Sequence, residues 1–168
     1  AAVQNGADAV YLGWGEFNAR RGAKNFDDQE FADALVYCHA RGVRVFLTMN
    51  TLLTDRELPA ALETAATACR LGIDALIIQD WGLFDLLRKA LPDLPLHAST
   101  QMSVFTSGGA CETAADGCER VVIAPAVLEQ LKEGERPLSP GMMYKHYAPG
   151  GVLTMVKGAQ PNVERCCL

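Results

Sequence analysis

Arg70-Leu71-Gly72-Ile73-Asp74-Ala75-Leu76-Ile77-Ile78 decides the fold. A helix-like stretch ends in glycine, and an apolar, β-branched run follows almost at once. Glycine just past a helix end lets the chain turn back on itself, and such a run has the character of a buried strand. Working outward, the same junction stands at Gln4-Asn5-Gly6-Ala7-Asp8-Ala9-Val10-Tyr11-Leu12 and at Ala40-Arg41-Gly42-Val43-Arg44-Val45-Phe46-Leu47. It stands again at Ala115-Asp116-Gly117-Cys118-Glu119-Arg120-Val121-Val122-Ile123, and after Ala124 it does not return. Repetition of this junction predicts alternating helix and strand, hence a parallel sheet, and its abrupt end predicts that the sheet is incomplete.

The intervening residues complete the series. Strands are expected at 9–13, 43–49, 75–79, 95–99 and 120–124. Asp27 or Asp28 can cap a helix over 28–41, with Phe31, Leu35 and Cys38 spaced for one buried face. Thr54 followed by Glu57 has the capping-box arrangement for a helix to about 71, and Pro59 falls near its first turn. Helices at about 82–91 and 106–116 follow. Five strands in βα order suit either an open doubly wound sheet or a (β/α) barrel. Gly13-Trp14-Gly15 after the first strand lacks the third glycine and the immediate helix of a dinucleotide fingerprint, and no phosphate loop is present. The barrel is preferred: an α/β fold, a partial TIM-like barrel of about five parallel strands with an irregular C-terminal tail.

In a barrel, chemistry gathers where the strands end. Those positions read Gly13-Trp14, Thr48-Met49-Asn50, Gln79-Asp80 and Ser99-Thr100-Gln101. Amide, hydroxyl and carboxylate groups recurring there predict a polar mouth, with Asn50, Gln79, Asp80, Ser99 and Gln101 as candidate catalytic residues. Polar residues also mark where buried strands surface and helix caps begin, so no single one of them establishes a site. The loop after the first strand is the compact basic patch of this half. Its Arg20, Arg21 and Lys24 are candidates for anion binding, because a guanidinium offers a planar fork of donors to phosphate or carboxylate. His97 lies within a short strand and reads as a packed core residue, and His39 stands near a helix C-terminus.

The 168 residues suffice for one sizeable core; 49 % are apolar, 21 % are charged, and the formal net charge is −5. This balance gives no reason to expect a dominant nucleic-acid surface, although local basic patches are compatible with it. No apolar run approaches the roughly 20 residues of a membrane span, and no signal peptide is expected at the start. The opening residues read as the middle of a helix without an initiator Met, as a truncated start would. The six cysteines form no Cys-x-x-Cys and share no metal-ligand spacing with histidine, so reduced thiols in a cytoplasmic protein are expected, with no metal site.

Asn5-Gly6-Ala7-Asp8-Ala9-Val10-Tyr11-Leu12-Gly13, Phe17-Asn18-Ala19-Arg20, Gly22-Ala23-Lys24-Asn25-Phe26, Tyr37-Cys38-His39, Thr48-Met49-Asn50-Thr51-Leu52 and His97-Ala98-Ser99-Thr100-Gln101-Met102 together resemble the peptidase U32 family over about residues 1–124. The resemblance implies a TIM-like barrel entered after its first strand. It also implies relatives that are collagenase-like peptidases or that act in oxygen-independent hydroxylation of tRNA, rRNA or quinone precursors. Some of those use prephenate and some an iron–sulfur cluster, but the cluster cysteines lie in a downstream region that this sequence lacks, so no cofactor is assigned to the chain. RNA or peptide is the implied substrate.

Residues at about 126–160 resemble something else. Ser139-Pro140-Gly141-Met142-Met143-Tyr144-Lys145-His146-Tyr147-Ala148-Pro149 is similar to the linker after the catalytic domain of threonylcarbamoyl-AMP synthases, and Gly151–Lys157 would begin that family's accessory domain with a strand. The resemblance makes Tyr144, Lys145 and His146 candidates for nucleotide contact; the residues alone favour an ordered linker packing its tyrosines. The chain therefore reads as 1–124 from one family and 125–168 from another, joined near Ala124-Pro125. Three functions stay open: a U32-type enzyme segment, a nucleotide-binding synthase-related segment, and a non-catalytic or inactive chimera. Five strands cannot close an eight-stranded ring, so Val10–Leu12 and Val121–Ile123 are expected to leave open edges prone to self-association, unless a strand at 152–157 covers one.

Overall fold

The computed structural model describes residues 1–19 and 25–123, and the backbone of 152–157 and 162–167. Arg20, Arg21, Lys24, Tyr144, Lys145 and His146 lie outside the described residues. The chain divides into two compact units, Ala1–His97 and Ala98–Leu168.

The first unit contains strand β1 (Ala9–Leu12), helix α1 (Asp28–His39), strand β2 (Arg44–Met49), helix α2 (Leu58–Leu71), strand β3 (Ala75–Ile78), helix α3 (Trp81–Ala90) and the start of strand β4 (Leu96–Ala98). β1, β2 and β3 pair in parallel in chain order, with Tyr11 opposite Phe46 and Leu47 opposite Leu76. The Leu76 N–H donates to the Pro95 carbonyl at 3.0 Å. The quoted junction is a left-handed helix cap: Gly72 has φ +96°, and the Ile73 N–H reaches back to the Ala68 carbonyl at 3.2 Å. Gly6, Gly42 and Gly117 take the same left-handed conformation at their junctions.

Helix α1 starts as expected. Asp27 accepts from the Glu30 N–H, Glu30 accepts from the Asp27 N–H, and Phe31, Leu35 and Cys38 face inward. The box at Thr54 differs. The Thr54 N–H and hydroxyl both donate to the Glu57 carboxylate, at 2.8 and 2.7 Å, and the N-cap of the helix is Glu57 itself, which makes no side-chain cap bond. Helix α2 begins a turn later, at Leu58, with Pro59 in its first turn where no N–H is needed. Its inner face is Ala61, Ala65 and Ala68, all fully buried, and small residues let a helix lie close to its neighbours. Val45, Leu47, Met49, Leu76 and Ile78 form the centre of the core. Strands buried on both faces show such near-continuous apolar runs, as parallel sheets require.

In the second unit, Ser99 leads into a short 3-10 turn (Thr100–Met102), followed by helix α4 (Ser107–Ala115) and strand β5 (Arg120–Val122). Cys118 is buried; its sulfur accepts the Ala98 N–H at 3.1 Å and its thiol donates to the Arg120 carbonyl at 3.0 Å. Strands β6 (Val152–Lys157) and β7 (Asn162–Cys167) add an antiparallel pair. β6 runs antiparallel to β5, Val121 opposite Val156, so the edge expected to stay open at Val121–Ile123 is covered by the alternative strand. The unpaired N–H and C=O groups of β5 find partners in the nearest β-competent segment of the same chain.

Candidate functional site at the strand ends

The first loop leaves β1 at Gly13. A Cβ there would lie 2.9 Å from Asn18 Cγ and 2.9 Å from Asn25 Oδ1, so only glycine admits the two amides this close to the strand exit. Asn18 is 1 % exposed, and its Nδ2 donates to the Gly15 carbonyl at 3.1 Å. Asn25 Nδ2 reaches the same carbonyl at 3.5 Å. Trp14 stacks on Phe31 with ring centroids 4.6 Å apart and donates its indole N–H to Asp28 at 2.9 Å, which fastens the loop to α1.

Three further bonds fasten it to β2. The Thr48 hydroxyl donates to the Leu12 carbonyl at 3.0 Å, and the Thr51 hydroxyl donates to the Phe17 carbonyl at 3.2 Å. The Ala19 N–H donates to Asn50 Oδ1 at 3.1 Å. Asn50 is buried, and a donor facing it means that the oxygen side of its amide points at the loop. The same construction recurs one strand later. Asp80 Oδ2 accepts the Leu53 N–H at 3.3 Å, while its Oδ1 accepts the Leu83 N–H at 2.9 Å and caps α3. At each of these two strand ends, one polar side chain holds the loop that came before.

The first unit thus brings Asn50, Gln79 and Asp80 to the ends of β2 and β3, with Gln79 half-buried. Ser99 and Gln101 belong to the second unit. There the Gln101 N–H donates to the buried Ser99 hydroxyl at 3.3 Å, and Gln101 is exposed. Sequence reasoning did not single out Trp14, Asn18, Thr48 or Thr51 as site residues. The available signal was the pair of asparagines flanking the basic run and the threonines around Asn50. His97 is buried edge-on to Phe46, centroids 4.8 Å apart, as a core histidine. His39 Nε2 lies 2.9 Å from Asp74 Oδ2, near the starts of β2 and β3.

Among the described residues no three His, Cys, Asp or Glu side chains converge as metal ligands. The described cysteines therefore do not fit an iron–sulfur cluster. Burial pushes the Cys38 thiol above its ordinary value, with nearby Arg41 pulling more weakly the other way. A shallow cavity of about 510 Å³ runs along α1 between Phe26 and Tyr37; none of Asn50, Gln79 or Asp80 lines it. No described helix is long and apolar enough to cross a membrane.

Residues 1–133 match peptidase family U32, and residues 113–166 match the C-terminal domain of threonylcarbamoyl-AMP synthase. The chain is 36 % identical over 132 residues to the 23S rRNA 5-hydroxycytidine C2501 synthase of Escherichia coli, covering 78 % of this chain and 20 % of that protein. It is 33 % identical to an uncharacterized protease of Methanocaldococcus jannaschii (79 % and 32 % covered). To the tRNA hydroxylation protein P of Helicobacter pylori it is 34 % identical (73 % and 29 % covered). The solved structure of a U32 peptidase superposes with a TM-score of 0.60 at 19 % identity, over 73 % of this chain and 52 % of that one. The chain spans about a fifth to a third of the length of these curated relatives.

Proposed function

This chain belongs to peptidase family U32, and we propose that it serves the RNA-hydroxylating branch of that family as a substrate-holding segment of the barrel. The observation that carries the reading is the bond from Ala19 to Asn50, which holds the residue before Arg20 against the C-terminal end of β2. Arg20, Arg21 and Lys24 follow directly in the sequence and would meet the phosphates of an RNA strand. Asn50 and Gln79 would line the rim at the ends of β2 and β3. Asp80 acts through the backbone it holds. Similarity to the rRNA and tRNA hydroxylation proteins supports RNA over peptide as the substrate. Reduced thiols at Cys38, Cys69 and Cys111 support a cytoplasmic setting.

The chemistry itself is not assigned to these residues. A peptidase needs a nucleophile activated by a base, and the Ser99 hydroxyl is engaged as an acceptor for its own turn. A second reading rests on the synthase-like segment 113–166: nucleotide contact through Tyr144, Lys145 and His146, in a chain joined near Ala124-Pro125.

Fluorescence anisotropy with a labelled tRNA anticodon stem–loop tests the first reading. Binding should weaken with salt, with a log–log slope of about two in magnitude for three phosphate contacts, and should largely vanish in an Arg20→Ala/Arg21→Ala/Lys24→Ala variant. Gelatin hydrolysis without RNA binding would overturn it in favour of a peptidase. ATP binding lost in Tyr144→Ala/Lys145→Ala, again without RNA binding, would favour the second reading.

A further inference from the structure

We propose that Trp81 is a stacking platform for an unpaired nucleobase, set at the rim where β3 ends. The proposal rests on the RNA reading above and names the part of the RNA that this rim takes. The chain has two tryptophans, and the fold spends one of them. Trp14 stacks on Phe31 and gives its indole N–H to Asp28. Trp81 is 47 % exposed. Among the described residues its ring meets the buried Phe84, in an edge contact with centroids 5.4 Å apart and planes at 72°.

Stability does not call for an indole at this place. Trp81 is the first residue of α3, directly after the Asp80 cap, and a smaller apolar side chain on Phe84 would leave less apolar surface in water. The position supplies rigidity instead. Asp80 bonds the Leu53 and Leu83 N–H groups, which fixes the backbone from which Trp81 projects, and Phe84 holds its ring. The bond to Leu53 also brings the β2–α2 loop to this end of β3, and Leu52 on that loop is 74 % exposed. Exposed apolar surface bordered by polar groups marks a binding surface, and here the same rim carries Asn50 and Gln79. A nucleobase has the matching chemistry, a flat apolar face with donors and acceptors along its edge. Chemistry on the ring of a base requires it to leave its own stack, and a fixed aromatic face offsets that cost.

The test uses the full chain, the same labelled stem–loop, and a duplex RNA of equal length without unpaired bases. In a Trp14→Phe variant Trp81 is the sole tryptophan, and its emission should be quenched by the stem–loop and not by the duplex. Trp81→Ala should weaken stem–loop binding about tenfold, and Trp81→Phe, which keeps an aromatic face, about threefold or less. The salt dependence should keep its slope in both variants, because no phosphate contact is lost. Unchanged stem–loop affinity in Trp81→Ala, or equal quenching by duplex and stem–loop, would overturn the inference and leave RNA binding standing. A wild-type chain that binds neither RNA would overturn the RNA reading and this inference with it. Quenching of Trp81 by a gelatin peptide in such a chain would assign the same surface to a peptide.

Discussion

The Asp80 carboxylate accepts the Leu53 backbone N–H at 3.3 Å, across 27 positions of sequence. Its other oxygen caps α3 through Leu83. One side chain therefore ties the β2–α2 loop to the end of β3 and starts the next helix.

Asp80→Ala removes both bonds, and about 2 kcal/mol of stability should be lost, a cap plus a part-buried hydrogen bond. Asp80→Asn should lose less. Its amide oxygen can still cap α3, but its nitrogen then faces the Leu53 donor. Urea unfolding midpoints ordered wild type, Asn, Ala would bear this out; equal midpoints for all three would refute it.

Gly13→Ala should destabilise the chain by about 1–3 kcal/mol, because the new methyl meets two side-chain amides at 2.9 Å and must displace them. Gly42→Ala meets no atom within 4 Å, and only its positive φ opposes it. The Gly13 variant should also quicken trypsin cleavage after Arg20, and the Gly42 variant should not. Digestion of the two side by side separates a packing clash from backbone strain.

Cys38 predicts a pH effect of definite sign. Burial raises its folded pKa above the ordinary thiol value of 9.0, so the folded state holds its proton longer than the unfolded chain does. That contribution is complete below pH 9.0 and is lost as pH rises beyond it. Unfolding free energy should fall more steeply above pH 9.0 in wild type than in Cys38→Ala. Equal slopes would contradict the assignment. Peptide mapping after brief alkylation at neutral pH should find exposed Cys111 modified well before buried Cys38 and Cys118.

Removing residues 124–168 strips β6 from β5 and leaves the edge of Val121 and Val122 bare. The shortened chain should self-associate at concentrations where the full chain does not, because an exposed apolar edge templates further pairing. Light scattering after size exclusion would show it. A shortened chain that stays monomeric would mean that β6 does not protect this edge in solution.

The alternation of helix and strand was legible because it is written in local chemistry. Glycine at four junctions takes the left-handed conformation that other residues resist, and the apolar runs behind them are too dense for a solvated strand. Phe31, Leu35 and Cys38 marked their helix face by spacing alone. The start of α2 was placed too early because the Thr54–Glu57 spacing also suits a turn ahead of the helix: there the Thr54 N–H and hydroxyl both bond the Glu57 carboxylate, and the helix begins at Leu58.

By itself the sequence determined the order of elements, the polar character of the strand ends and the family to which the chain belongs. It also supplied the basic run after β1. Only the tertiary structure decided what the polar residues do. Asn50 and Ala19 are 31 positions apart, as Asp80 and Leu53 are 27, and no local propensity links either pair. They meet because parallel pairing places successive strand ends side by side, so the end of one strand becomes the nearest acceptor for the amides of the loop before it. Both bonds are part-buried, and the buried Asn50 amide must find its partner within the fold.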